Sequence, residues 1–200
     1  MGKRVGIFGG SFDPIHFGHI NLAIQLQEAH QLDEVGFFPA GQNPFKMKAS
    51  LTDASHRLAM LRLALEGIPS FFIDERELRR EGPTYTVDTI KSFHEDRPTD
   101  ELFLILGLDT AFQFFSWHLP DEILDYSQVL IGKRICDPVN ELDVIKDSKV
   151  LNALKKGFTE TRILDISATE IRDRIRQNLY CGHLLPQKVL DYIKSAKLYL

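Results

Sequence analysis

The sequence predicts an α/β fold, a doubly wound and mainly parallel sheet with helices on both faces. Strand-like apolar runs alternate with helix-like stretches along the 200 residues, the pattern of parallel strands joined by crossover helices. No internal repeat or low-complexity linker interrupts the alternation, and 44% hydrophobic content suits one domain over residues 1–200 with a substantial core.

The elements follow in order. The apolar run Val5-Gly6-Ile7-Phe8 centres a strand over Lys3–Phe8, and a helix-like stretch spans Gly18–Ala29. Further strands are expected at Glu34–Phe38, Phe71–Asp74, Glu101–Leu106, Gln128–Ile131 and Arg162–Leu164, each a short run of aliphatic or aromatic residues bounded by polar ones. Further helices are expected at Asp53–Leu65, Val87–Glu95, Asp121–Leu124, Ser148–Lys155, Ala168–Gln177 and Gln187–Ala196. The polar stretch Ala40–Ser50 is long enough to close over a ligand.

Composition excludes several classes of function. No run of eighteen apolar residues marks a membrane span. The start Met1-Gly2-Lys3-Arg4 leads straight into a strand with no signal-peptide core, so a cytoplasmic protein is expected. Cys136 and Cys181 are isolated, which speaks against a zinc site or a disulfide framework. A net charge of −4 argues against nucleic-acid binding. Positive charge clusters locally at Lys46 with Lys48, at Lys133-Arg134 and at Arg172-Asp173-Arg174-Ile175-Arg176, which suits a small polyanionic ligand.

The most informative segment is Gly9-Gly10-Ser11-Phe12-Asp13-Pro14-Ile15-His16-Phe17-Gly18-His19. A glycine pair leaving a strand lets backbone N–H groups approach a ligand closely. The helix that follows adds its positive end, a ready anion site. His16 and His19 share one helix face if the first turn begins near His16. Asp13 and Pro14 have the chemistry of a tight bend. The segment lacks both G-x-G-x-x-G and a Walker G-K-[ST], so a dehydrogenase and a P-loop NTPase are disfavoured. In open α/β sheets ligands sit beyond the carboxyl ends of strands, which gathers Gly9-Gly10, Gly107-Leu108-Asp109 and Lys133-Arg134 at one crevice.

The segment resembles the G-x-F-D-P-x-H-x-G-H signature of the H-x-G-H nucleotidyltransferase superfamily. Ile166-Ser167-Ala168-Thr169-Glu170-Ile171-Arg172 is similar to that superfamily's I-S-x-T-x-x-R element, although S-x-x-E is also an ordinary capping box. Asn43-Pro44-Phe45-Lys46, Pro83-Thr84-Tyr85-Thr86-Val87-Asp88-Thr89, Gly107-Leu108-Asp109 and Ser116-Trp117-His118, in that order, narrow the resemblance to the bacterial nicotinate-nucleotide adenylyltransferases. Two features depart from that family: Phe45 stands where His is usual, and Ile135-Cys136 where Pro-Gly usually follows the arginine.

The resemblance implies a Rossmann-like nucleotidyltransferase domain that joins AMP from ATP to nicotinate mononucleotide. His16, His19, Lys46 and Arg172 would be catalytic. Gly9, Gly10, Ser11, Phe12, Gly107, Asp109, Ile166, Ser167 and Thr169 would bind ATP, with Asp109 on the ribose. Thr86, Trp117, His118 and Arg134 would bind the mononucleotide, Trp117 stacking on the pyridine ring and the Thr86 N–H meeting the nicotinate carboxylate. Mg²⁺ is expected with ATP, held mainly by phosphates and water and by no protein metal site. The partners are ATP and nicotinate mononucleotide, with no nucleic acid and no membrane; a homo-oligomer is left open. The rival readings are a sibling enzyme using nicotinamide mononucleotide or another phosphorylated acceptor, and a nucleotide-binding regulator with weak turnover.

Overall fold

A computed structural model describes residues 2–41, 51–133, 148–162 and 164–200. Six strands form one parallel sheet: β1 (Arg4–Gly10), β2 (Glu34–Pro39), β3 (Phe71–Ile73), β4 (Glu101–Gly107), β5 (Ser127–Lys133) and β6 (Phe158–Glu160), in the spatial order β3-β2-β1-β4-β5-β6. Chain direction reverses its march across the sheet between β1 and β4, the switch point at which open α/β sheets bind ligands. Helices α1 (Phe17–His30), α2 (Ala54–Leu65), α3 (Thr86–Asp96), α4 (Leu108–Ala111), α5 (Pro120–Tyr126), α6 (Ser148–Gly157), α7 (Ala168–Arg176) and α8 (Gln187–Ser195) accompany the strands, with a short 3-10 helix at Phe114–Ser116.

Strand periodicity explains why the sheet is covered twice. Along β4, Leu102, Leu104 and Leu106 enter one core, while Phe103 and Ile105 enter the other. Successive side chains of a strand point to opposite faces, so an unbroken apolar run demands a cover on each. Residues of α1, α2, α7 and α8 share the core of Phe103 and Ile105; residues of α3, α5 and α6 share that of Leu102, Leu104 and Leu106.

Several element bounds differ from the sequence expectation, and two of the differences are informative. The sixth strand is Phe158–Glu160, not Arg162–Leu164, because Ile131, Gly132 and Lys133 of β5 register with Phe158, Thr159 and Glu160. The backbone of Arg162 is satisfied outside the ladder: its carbonyl accepts from Asn21 Nδ2 and Gln25 Nε2, and its N–H donates to Gln25 Oε1. The first strand also runs beyond Phe8, since Gly9 and Gly10 register with Phe38 and Pro39. Both glycines therefore leave the sheet at its carboxyl edge. Among the described residues no helix is long and apolar enough to cross a membrane.

Candidate active site

Beyond β1 the chain turns through Phe12, whose φ of 47° lies in the left-handed region. The cost of that conformation is offset by packing: the Phe12 ring is buried and meets Phe8 and His19 edge-on, with centroids 5.6 and 5.1 Å away. Asp13 is buried behind the loop and is the centre of a brace. Its carboxylate accepts from the Tyr199 hydroxyl at 2.6 Å and from the Thr52 N–H at 3.1 Å, and its carbonyl accepts from Arg172 Nη1 at 2.7 Å. The buried Arg57 guanidinium donates to the carbonyls of Ser11 and Thr52. Burial lowers the Arg57 pKa, and Asp13, Tyr199 and Asp53 act against that shift.

His16 caps α1 by position, in an extended conformation and without a side-chain capping bond. Its ring and that of His19 stack, with centroids 3.7 Å apart and planes inclined by 25°. Gly18 makes room for this pair, since a Cβ there would lie 3.0 Å from His16 Nδ1 and 3.2 Å from the Leu164 carbonyl oxygen. Burial lowers the His16 pKa from 6.5 to about 4, so the ring is neutral near pH 7. His16 Nδ1 and Ser11 Oγ are buried and have no hydrogen-bond partner among the described residues. Buried polar atoms are rarely left so without reason.

A cavity of about 200 Å³ lies between the carboxyl ends of β1, β2 and β4 and the start of α3, bringing Gly9, Gly10 and Ser11 to the same space as Thr86, Trp117 and His118. Thr86 is the first residue of α3, and Tyr85 before it supplies no side-chain cap, so the first-turn N–H groups are not taken by a cap side chain. Trp117 leans on the buried Phe114, centroids 5.3 Å apart, and His118 packs on Tyr85 at 4.5 Å. One end of the cavity is backbone amide and small side chains; the other is aromatic.

The cytidylyltransferase-like family profile matches residues 7–174. The nicotinate-nucleotide adenylyltransferase of Bacillus subtilis is 34% identical over 197 residues, 98% of each chain. The probable nicotinate-nucleotide adenylyltransferase of Herpetosiphon aurantiacus is 36% identical over 200 residues, 99% of each chain. This chain belongs to the nicotinate-nucleotide adenylyltransferase family. The fold agrees: the structure of Plasmodium falciparum nicotinic acid mononucleotide adenylyltransferase complexed with NaAD matches 98% of this chain and 97% of its own, with a TM-score of 0.77 at 22% identity.

Within that family framework most of the candidate residues fall into three groups. Gly9, Gly10, Ser11, Thr86, Trp117 and His118 line the cavity. His16 and His19 pair at the α1 start, next to Phe12. Ile166, Ser167, Thr169 and Arg172 sit around the start of α7, where Ser167 Oγ accepts from the Glu170 N–H at 3.1 Å as a helix cap. Arg172 ties this group to the first loop: Nη1 reaches the Asp13 carbonyl and Nη2 the Thr169 hydroxyl. Gly107 is the N-cap of the four-residue α4, a helix absent from the sequence reading, and Asp109 is exposed in its first turn. Lys46 and Arg134, with Phe45 and Ile135-Cys136, lie outside the described residues.

Several residues at or behind the site were not among the sequence candidates, Tyr199, Arg57 and Glu77 among them. Tyr199 and Arg57 brace the first loop, and Glu77 lines the cavity. Glu77 lies in the charged run Asp74-Glu75-Arg76-Glu77-Leu78-Arg79-Arg80-Glu81, which reads as a solvated surface. The one local hint is Thr89, a polar residue between apolar Val87, Ile90 and Phe93 on α3 and as buried as they are.

Proposed function

We propose that this chain transfers AMP from ATP to nicotinate mononucleotide, releasing pyrophosphate and forming deamido-NAD, a step of NAD biosynthesis. The observation that carries the reading is the shared cavity, which joins the glycine end of β1 to the aromatic end at Trp117 and the uncapped start of α3. A phosphate oxygen of the mononucleotide attacks the α-phosphorus of ATP, and the bond from that phosphorus to the bridging β-oxygen breaks. The attacking group is already an anion, so no general base is required. The protein has to bring two anions together and stabilise the charge on the transferring group and on pyrophosphate.

The roles follow from chemistry. Neutral His16 can offer one ring N–H to a phosphate oxygen, and His19, stacked on it, a second; Gly9, Gly10, Ser11 and Phe12 supply the loop at β1. The start of α7 with Ile166, Ser167 and Thr169 faces ATP phosphates, and Gly107 and Asp109 at the end of β4 face its ribose. We read Arg172 as acting through the Asp13 carbonyl and Thr169, ordering the loop and the α7 start together. Lys46 and Arg134 are proposed from the family resemblance as cationic contacts. Trp117 stacks on the pyridine ring, the Thr86 N–H meets its carboxylate, and His118 contributes through main chain. An N–H donor favours a carboxylate over the NH₂ of an amide, the physical basis for selecting the acid.

A divalent ion accompanies ATP, and Mg²⁺ fits best. Among the described residues no three His, Cys, Asp or Glu side chains converge on a point that could hold an ion. The triphosphate and water would supply its ligands, a habit of Mg²⁺. Pyrophosphate release from ATP with a panel of phosphorylated acceptors tests the reading: nicotinate mononucleotide should be preferred over nicotinamide mononucleotide and pantetheine phosphate. A preference for either rival overturns it.

A further inference from the structure

Glu77 is a buried carboxylate on the wall of the cavity that the reaction as described leaves unused. Three donors from three segments converge on it. The Thr89 hydroxyl of α3 donates to Oε1 at 2.9 Å, and the Thr84 hydroxyl and the Gly41 N–H also donate to the carboxylate. Gly41 follows β2; Thr84 stands two residues before the start of α3; Thr89 lies on the first turn and a half of that helix. The approach at Gly41 is close enough that a Cβ there would come within 2.4 Å of the Glu77 carbonyl oxygen and 3.1 Å of Thr84 Cγ2. The start of α3 is therefore held against the end of β2 by one side chain.

We propose that Glu77 is a positioning residue that sets the Thr86 amide for the carboxylate of the pyridine ring, and so determines affinity and acid-over-amide selectivity for the mononucleotide. This rests on the function proposed above. Three donors on one carboxylate leave little of its hydrogen-bonding capacity over, so Glu77 works on the cavity wall and does not itself seek the ligand. Burial raises its pKa while the three hydrogen bonds and Arg80 lower it, the balance of a group held for its bonds at a cost in desolvation. The alternative is a purely structural carboxylate, whose loss would weaken folding and both substrates alike.

Steady-state kinetics on the full chain separates the two. Glu77→Ala removes the acceptor that three donors share, leaving the Thr89 hydroxyl only its longer contact to the Tyr85 carbonyl, and should raise KM for nicotinate mononucleotide by about tenfold, with KM for ATP within about twofold and the acid-over-amide preference reduced. Glu77→Gln keeps the length and an acceptor oxygen, and the two threonine hydroxyls can turn to accept from its NH₂. It should restore most of the mononucleotide affinity. Thr89→Val, of equal shape, removes one of the three donors to Glu77, together with the longer contact to the Tyr85 carbonyl, and should give a smaller change in the same direction if Glu77→Ala does not fold. The inference is overturned if the folded variants leave the mononucleotide KM unchanged, raise both KM values equally, or show Gln as damaging as Ala, which would assign the role to charge. A wild-type chain that makes no product from nicotinate mononucleotide overturns the parent reading and this one with it.

Discussion

Tyr199 donates its hydroxyl to Asp13 Oδ1 at 2.6 Å across 186 residues of sequence, tying the segment after α8 to the back of the first loop. The same carboxylate takes the Thr52 N–H, so one buried side chain joins three distant stretches. Tyr199→Phe removes the hydroxyl and leaves Asp13 buried with one donor fewer. The variant should lose about 1–3 kcal/mol of stability and several-fold in kcat, read from urea melts and initial rates. Unchanged kinetics with the stability loss present would limit the brace to folding.

The His16 shift makes a prediction for acid stability. Folding lowers its pKa from 6.5 to about 4, so between those values the unfolded chain binds a proton that the folded chain refuses. Stability therefore falls as pH drops from 6.5 to 4, by on the order of 3 kcal/mol, and the term is absent above 6.5. His16→Asn, neutral throughout, should flatten that part of the profile in urea melts at a series of pH values. A slope equal to that of wild type would show that His16 titrates normally.

His19 stacks on the neutral His16 beside the first loop, a place suited to stabilising charge on a transferring phosphoryl group. Removing one such donor typically costs about a hundred- to thousandfold in turnover. His19→Ala should show that loss in kcat with little change in melting temperature. A folded variant with a near-normal rate would sink the assignment.

Trp117 rests on Phe114 but keeps part of its surface on the cavity. If the indole stacks on the pyridine ring, Trp117→Ala should weaken nicotinate mononucleotide by roughly tenfold or more and leave ATP affinity almost intact. Titration calorimetry with each ligand separately decides between this and a core role, which predicts equal losses or unfolding.

Much of this molecule is legible along the chain because its signals are local. Alternating runs declare the α/β class, and the apolar continuity of β4 declares a sheet covered on both faces, since one residue in two faces each way. The glycine pair, the His16–His19 spacing and the Ser167 cap lie within single turns of backbone, where near neighbours set the geometry. Tertiary pairing decided the rest. Which residues form β6 depends on what registers with β5 and on α1 side chains claiming the backbone of Arg162. Arg172 bonds a carbonyl 159 residues away, and Tyr199 a carboxylate 186 away. Glu77 looks like a surface charge until Gly41, Thr84 and Thr89 close around it. A side chain's local sequence sets what bonds it can make; only the fold brings the distant donors that determine whether it is solvated or buried, because burial and pairing are properties of neighbours the chain does not list in order.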